Sequence, residues 1–171
     1  MSTNPADNPN PRDVRLAAAF TIHHRSGDKE GMAEIVRDTS ETGRASELLL
    51  SVLDLHKVFI VQSRTPTGID YLGRYVQDLG KVKPDDPKMI DLRRACRILD
   101  GHGRDDLSAI NDVIREARDD NRCTHALMAL MDLYETAVPE LSSTAGRKWL
   151  DACVTTTLGQ SVRVMADRIN N

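Results

Sequence analysis

The chain has 171 residues and a mass of 19.0 kDa, with 40% hydrophobic and 29% charged residues, enough for one compact domain or two small halves packed together. Its 23 basic and 26 acidic residues leave a net charge of −3, and the two signs are interspersed, so nonspecific capture of DNA or of an anionic membrane is disfavoured, though a local basic face is still compatible with the sequence. The longest uncharged stretches, such as Ala152 to Val162, reach only 11 residues and are rich in Thr and Gly, against the roughly 20 apolar residues that a membrane-crossing helix needs.

Residues 1–11 read as a disordered polar tail with three prolines, and they lack the basic start and apolar run of a secretory signal. A cytoplasmic protein is therefore expected. The three cysteines, Cys96, Cys123 and Cys153, are too few to pair completely within one chain and form no Cys-x-x-Cys motif, so buried free thiols are expected.

Slid against itself, the sequence matches without a gap when positions 13–79 are laid on 91–157. Thirteen of these 67 pairs are identical, against about five expected from composition alone. The identities include Asp13/Asp91, His24/His102, Asp28/Asp106, Arg37/Arg115, Arg44/Arg122, Asp54/Asp132 and Gly68/Gly146; Tyr71 falls on Trp149. The pattern reads as an ancient duplication, with repeat 1 over 12–80, a linker over 81–89 and repeat 2 over 90–171.

Within each repeat the apolar residues recur at spacings of three and four, and strand-like alternation is nearly absent. The expected fold is all-α, about four helices per repeat and eight in all, packed into one globule. The first helix covers about Arg12 to His24, and its counterpart about Met89 to His102. A short second helix is carried by Met32, Ile35, Val36 and Thr39, or by Leu107, Ile110, Val113, Ile114 and Ala117. The third, from Leu48 through Val61, is apolar nearly all round and belongs in the centre. The fourth spans about Thr67 to Leu79; its counterpart begins near Ser143 and is expected to run on through Val162, Met165 and Ile169. The segment from Gly80 to Lys88, with one glycine and two prolines, is a hinge too short to let the halves drift apart. A two-helix solenoid competes, but the Trp, Gly and Pro pattern of a tetratricopeptide unit is missing.

Three sets of residues raise the question of chemistry. His24 with Asp28, repeated as His102 with Asp106, places an imidazole and a carboxylate one helical turn apart in sequence in both repeats, and the four side chains could hold a metal if the halves met. The simpler reading has each His at a helix C-terminus, where the dipole favours it, and each Asp capping the next helix. Arg37, Arg44 and Asp54, repeated as Arg115, Arg122 and Asp132, set one carboxylate per repeat on an apolar helix, where an internal salt bridge between helices two and three is expected. The segment from Lys81 to Arg104 is the densest basic region, but acidic residues dilute it and no aromatic interleaves to stack on bases.

No Glu-x-x-His pair, nucleophile elbow or phosphate-binding glycine loop is present. No catalytic, cofactor-binding or metal-ligating residue is therefore assigned. A non-catalytic helical protein-interaction module is the leading expectation, with a protein partner or a second copy of the chain as its ligand. A nucleic-acid-binding regulator using Lys81–Arg104 comes second, and a metal-dependent enzyme with ligands from both repeats third. Tyr71 and Trp149 are expected to pack between helices.

Overall fold

The computed structural model describes residues 10–83 and 86–155, and among them every regular element is helical. In chain order these are α1 (Pro11–Ser26), α2 (Lys29–Glu41), α3 (Ala45–Ser63), α4 (Pro66–Lys81), α5 (Pro87–Gly103), α6 (Leu107–Asp119), α7 (Cys123–Ala137), a one-turn 3-10 helix (Pro139–Ser142) and α8 (Thr144–Thr155). The all-α expectation with about eight helices is met. None of the described helices is long and apolar enough to cross a membrane. The expected continuation of the last helix through Val162, Met165 and Ile169 lies outside the described residues, as does most of the N-terminal tail.

Local chemistry sets the boundaries. Prolines at the starts of α1, α4 and α5 cost nothing, because the first turn of a helix has no use for their missing N–H. Pro11 thus belongs to α1, capped by Asn10, and Pro87 opens α5, capped by Asp86. The residues expected to resist helix in the linker therefore include a helix start. Asp28 caps α2 by accepting from the Gly31 amide, and Asp106 caps α6 from the Ala109 amide, each at 3.0 Å. The chain leaves α1 and α2 through left-handed residues, Gly27 (φ 70°) and Gly43 (φ 69°). The same turns after α5 and α6 are made by Asp105 (φ 54°) and Asn121 (φ 56°), side chains that tolerate this region better than most. The Asp28 and Asp106 caps and the left-handed turns stand at matching positions of the two aligned segments, whereas the proline starts do not.

The chain divides into two compact units, residues 10–62 with 139–155 and residues 63–138. The first holds α1, α2, α3, the 3-10 helix and α8, with α1 packed on α2 and α8. Phe20 of α1, Leu48, Val52 and Leu53 of α3, Leu141, and Leu150 of α8 are among its fully covered side chains. The apolar perimeter of α3 is covered only in part: from Val58 to Ile60 it is half-buried, and Val61 is exposed. The second unit holds α4 to α7, with α5 packed on α4, α6 and α7. Here Val76 of α4, Cys96 of α5 and Leu133 of α7 are buried together, and Leu79, Leu92 and Leu99 pack around them. These units cut across the segments 12–80 and 90–171, because the apolar stripe of α4 is matched by that of α5, and that of α8 lies on α1.

Gly146 shows how tightly α8 is seated. A Cβ there would stand 2.3 Å from the Glu140 carbonyl oxygen and 2.5 Å from Leu141 Cα, backbone atoms that have nowhere to go. At Gly68, its counterpart in the first repeat, the nearest atom is Thr65 Oγ1 at 3.4 Å, an ordinary contact. Gly146→Ala is expected to destabilise by about 1–3 kcal/mol through overpacking, whereas Gly68→Ala in α4 is neutral or slightly stabilising. Urea unfolding of the two variants checks this, and equal midpoints would contradict it.

Candidate functional site

The duplicated charged residues divide between two structural tasks. Asp28 and Asp106 are helix caps, as above, and His24 and His102 are buried in the last turns of α1 and α5. Asp28 also bonds a histidine, but the partner is His23, whose Nδ1 lies 2.8 Å from its Oδ2. The Gly31 amide, and then His23, hold the Asp28 carboxyl below its usual range.

Arg44 and Arg122 do form internal salt bridges, with a different partner from the one expected. Arg44 reaches Asp13 on α1, Nε to Oδ1 at 3.1 Å and Nη2 to Oδ2 at 2.5 Å. Arg122 makes the same fork to Asp91 on α5, with Nε at 3.1 Å from both carboxylate oxygens. Both aspartates are buried, so each bridge ties the first helix of its set to the start of the third, not the second to the third. Asp54 and Asp132 are exposed. Arg37 and Arg115 instead pair along their own helices, with Glu34 at 3.7 Å and Asp112 at 3.2 Å. Sequence reasoning matched the arginines to the carboxylate on the apolar helix. It passed over the shared spacing, the same from Asp13 to Arg44 as from Asp91 to Arg122.

Among the described residues, the second unit adds a network around Arg94 where the first has Leu16 at the aligned position. Arg94 is 2% exposed, and its guanidinium is held by Glu116 at 3.1 Å, by Asp120, and by Asp91 at 3.5 Å. Burial opposes its charge, but the hydrogen bonds to Asp120 and Glu116 outweigh it and raise its pKa. Arg97 meets Glu116 at 2.6 Å, Arg104 meets Asp100 at 2.8 Å, and Arg93 donates to the Gly80 carbonyl at 3.1 Å. The arginines of the basic segment Lys81–Arg104 are therefore engaged within their own unit.

In the first unit the corresponding face of α1 and α2 is an open groove of about 520 Å³, lined by Leu16, His23, Asp28, Glu30, Gly31, Glu34, Ile35 and Asp38. Leu16, Gly31 and Ile35 make its floor. Four carboxylates and one imidazole make its walls, with no lysine or arginine among the lining residues. Arg12 reaches Asp38 at 3.0 Å through an exposed pair. His23 lies over Gly31, where a Cβ would come within 2.4 Å of its Nδ1. In the second unit both equivalent positions are small, Gly101 and Ala109. His23 falls on Gly101 and matches no histidine in the other segment, so sequence reasoning assigned it no role; the available signal was that the glycine moves from the position of His23 in one segment to the position of Ala109 in the other.

Cys96 and Cys153 are buried, and burial pushes each thiol up to about 11. Cys123, expected to be buried as well, is exposed at the start of α7. Trp149 packs edge-on against Phe59 of α3 with ring centroids 5.2 Å apart, while Tyr71, expected to pack likewise, is 68% exposed on α4.

Comparison with protein-family models, with curated proteins and with solved structures found no match to this chain.

Proposed function

We propose that this protein is a non-catalytic helical interaction module of the cytoplasm, and that the groove between α1 and α2 presents its recognition surface to a protein partner. The observation that carries the reading is the composition of that groove: an apolar floor with a carboxylate wall suits a side-on segment that is apolar on one face and basic on the other. We read the chain as two tandem copies of one design, with the fourth helix of each copy lodged in the unit of the other. The recurrence of caps, left-handed turns and the aspartate–arginine fork at equivalent positions of the two copies supports this. The engagement of Arg93, Arg94, Arg97 and Arg104 within the second unit weighs against a nucleic-acid surface there, since such a surface needs unengaged cations.

A photo-crosslinking side chain placed at Glu30, on the groove wall, is expected to capture one protein from native cell extract, and Glu34→Lys in the same chain abolishes that adduct. The same crosslinker at Arg74, exposed on α4, captures a different set or none. Adducts at Glu30 that persist unchanged in the Glu34→Lys chain, or no adduct at all, would overturn the reading. A second copy of the chain is one identity the captured protein can have.

A further inference from the structure

We propose that the groove between α1 and α2 receives an arginine side chain from the partner, seated over Leu16 and hydrogen-bonded to Asp38 and Glu34. This rests on the interaction-module reading above and gives it a chemistry.

The second unit supplies the template. The position equivalent to Leu16 is held there by Arg94, and the position equivalent to Asp38 by Glu116. That guanidinium is fully covered between the first and second helices of the set, and the Glu116 carboxylate accepts from its Nε at 3.1 Å. In the first unit the carboxylate is kept as Asp38, whereas the helix that carries the cation now carries Leu16. Leu16 and Asp38 line the same open groove. Arg97, which shares Glu116 in the second unit, is likewise replaced by Ala19. The first unit therefore keeps the acceptor without counterparts of the two arginines that meet it in the second, and Glu30, at the position of Ser108, joins Glu34, at the position of Asp112, beside it.

Charge complementarity selects the occupant. The groove walls hold Asp28, Glu30, Glu34 and Asp38 against one imidazole, and that imidazole is already hydrogen-bonded to Asp28. A planar guanidinium fits two carboxylates on one helix face better than a point-like ammonium, because its donors form a fixed fork and its faces tolerate an apolar floor. Each of the two acceptors already has a cation of its own chain: Arg12 meets Asp38 in a pair whose side chains are about half exposed, and Arg37 lies 3.7 Å from Glu34 in a pair exposed on both sides. Such pairs contribute little, so an incoming arginine displaces or shares them at small cost.

The test uses the full chain, labelled with nitrogen-15, and two synthetic helical peptides that differ only in one residue: arginine in the first, the uncharged isostere citrulline in the second. The arginine peptide is expected to shift the amides of Gly31, Glu34, Ile35 and Asp38, and the citrulline peptide to bind about tenfold more weakly or not at all. Asp38→Asn and Glu34→Gln, both conservative changes on an accessible face, should each weaken the arginine peptide severalfold. Asp112→Asn, the matching change in α6, should leave its affinity unchanged. Equal binding of the two peptides, shifts confined to other residues, or no binding of the arginine peptide would each overturn the proposal. If crosslinking at Glu30 succeeds while the arginine peptide fails, the arginine assignment falls and the interaction module stands; if both fail, both fall.

Discussion

Replacing Arg94 by alanine is expected to cost about 3 kcal/mol of folding stability, the lower end of the range for breaking a buried ion pair. The lower end applies because the carboxylates left behind are not equally stranded. Asp91 is buried but keeps its fork to Arg122, while the Glu116 and Asp120 side chains are 44% and 55% exposed and can turn to water. What remains is the loss of a fully covered side chain, the void it leaves and the hydrogen bonds that spanned α5 and α6. Arg94→Leu copies the residue found at the equivalent position of α1 and refills part of that void, so it should be milder than the alanine variant by about 1–2 kcal/mol. Urea denaturation of the three proteins measures both differences. An alanine variant within about 1 kcal/mol of the parent would mean that the network is ornamental to stability.

The contrast between Leu16 and Arg94 also shows where the sequence was legible and where it stopped. Helix positions could be read because their signals are local: apolar spacing within a helix, an aspartate or proline at its start, a glycine or asparagine where the backbone turns left-handed. Asp28 and Asp106 were recognisable as caps for the same reason, since a cap and the amide it serves are close neighbours in sequence. The assignment of helices to units was not legible. An amphipathic stripe states that a helix needs a partner but not which one, and α4 and α8 carry stripes that either set of three helices could have covered.

The salt bridges failed to read out for a related reason. Arg44 had several carboxylates within plausible reach along the chain, and Asp54 stood out because it interrupts an apolar helix. The structure turns Asp54 to the surface and draws Arg44 to Asp13, which lies on α1 and is buried. A buried carboxylate exerts the stronger demand, and burial is a tertiary property. The groove was invisible for the opposite reason: it is defined by what is absent, a leucine and an alanine where the second unit has two arginines, and such absences acquire meaning only once the two faces are compared in space.

His56 carries the second large expectation, a loss of stability in mild acid. Its side chain is fully covered in α3, its Nδ1 lies 2.8 Å from the Val52 carbonyl, and burial, reinforced by the nearby charge of Arg25, lowers its pKa from 6.5 to about 4. The unfolded chain therefore binds a proton near pH 6.5 that the folded chain refuses until about pH 4. Above this window neither state is protonated and His56 contributes no pH dependence. As the pH falls through it, the unfolded state alone gains a proton, so stability declines by up to about 1.4 kcal/mol per pH unit and by about 3 kcal/mol in total. The Asp28 carboxyl, held below 3.8, gives up its contribution only at lower pH. Unfolding free energies measured from about pH 7.5 to about pH 4.5 for the parent and for His56→Leu separate the effect from the other titrating groups, because only the difference between the two curves is read. The leucine variant, whatever its absolute stability, should lack this share of the acid slope. Parallel curves, or an imidazole that titrates near 6.5 in the folded protein by NMR, would show that water reaches His56.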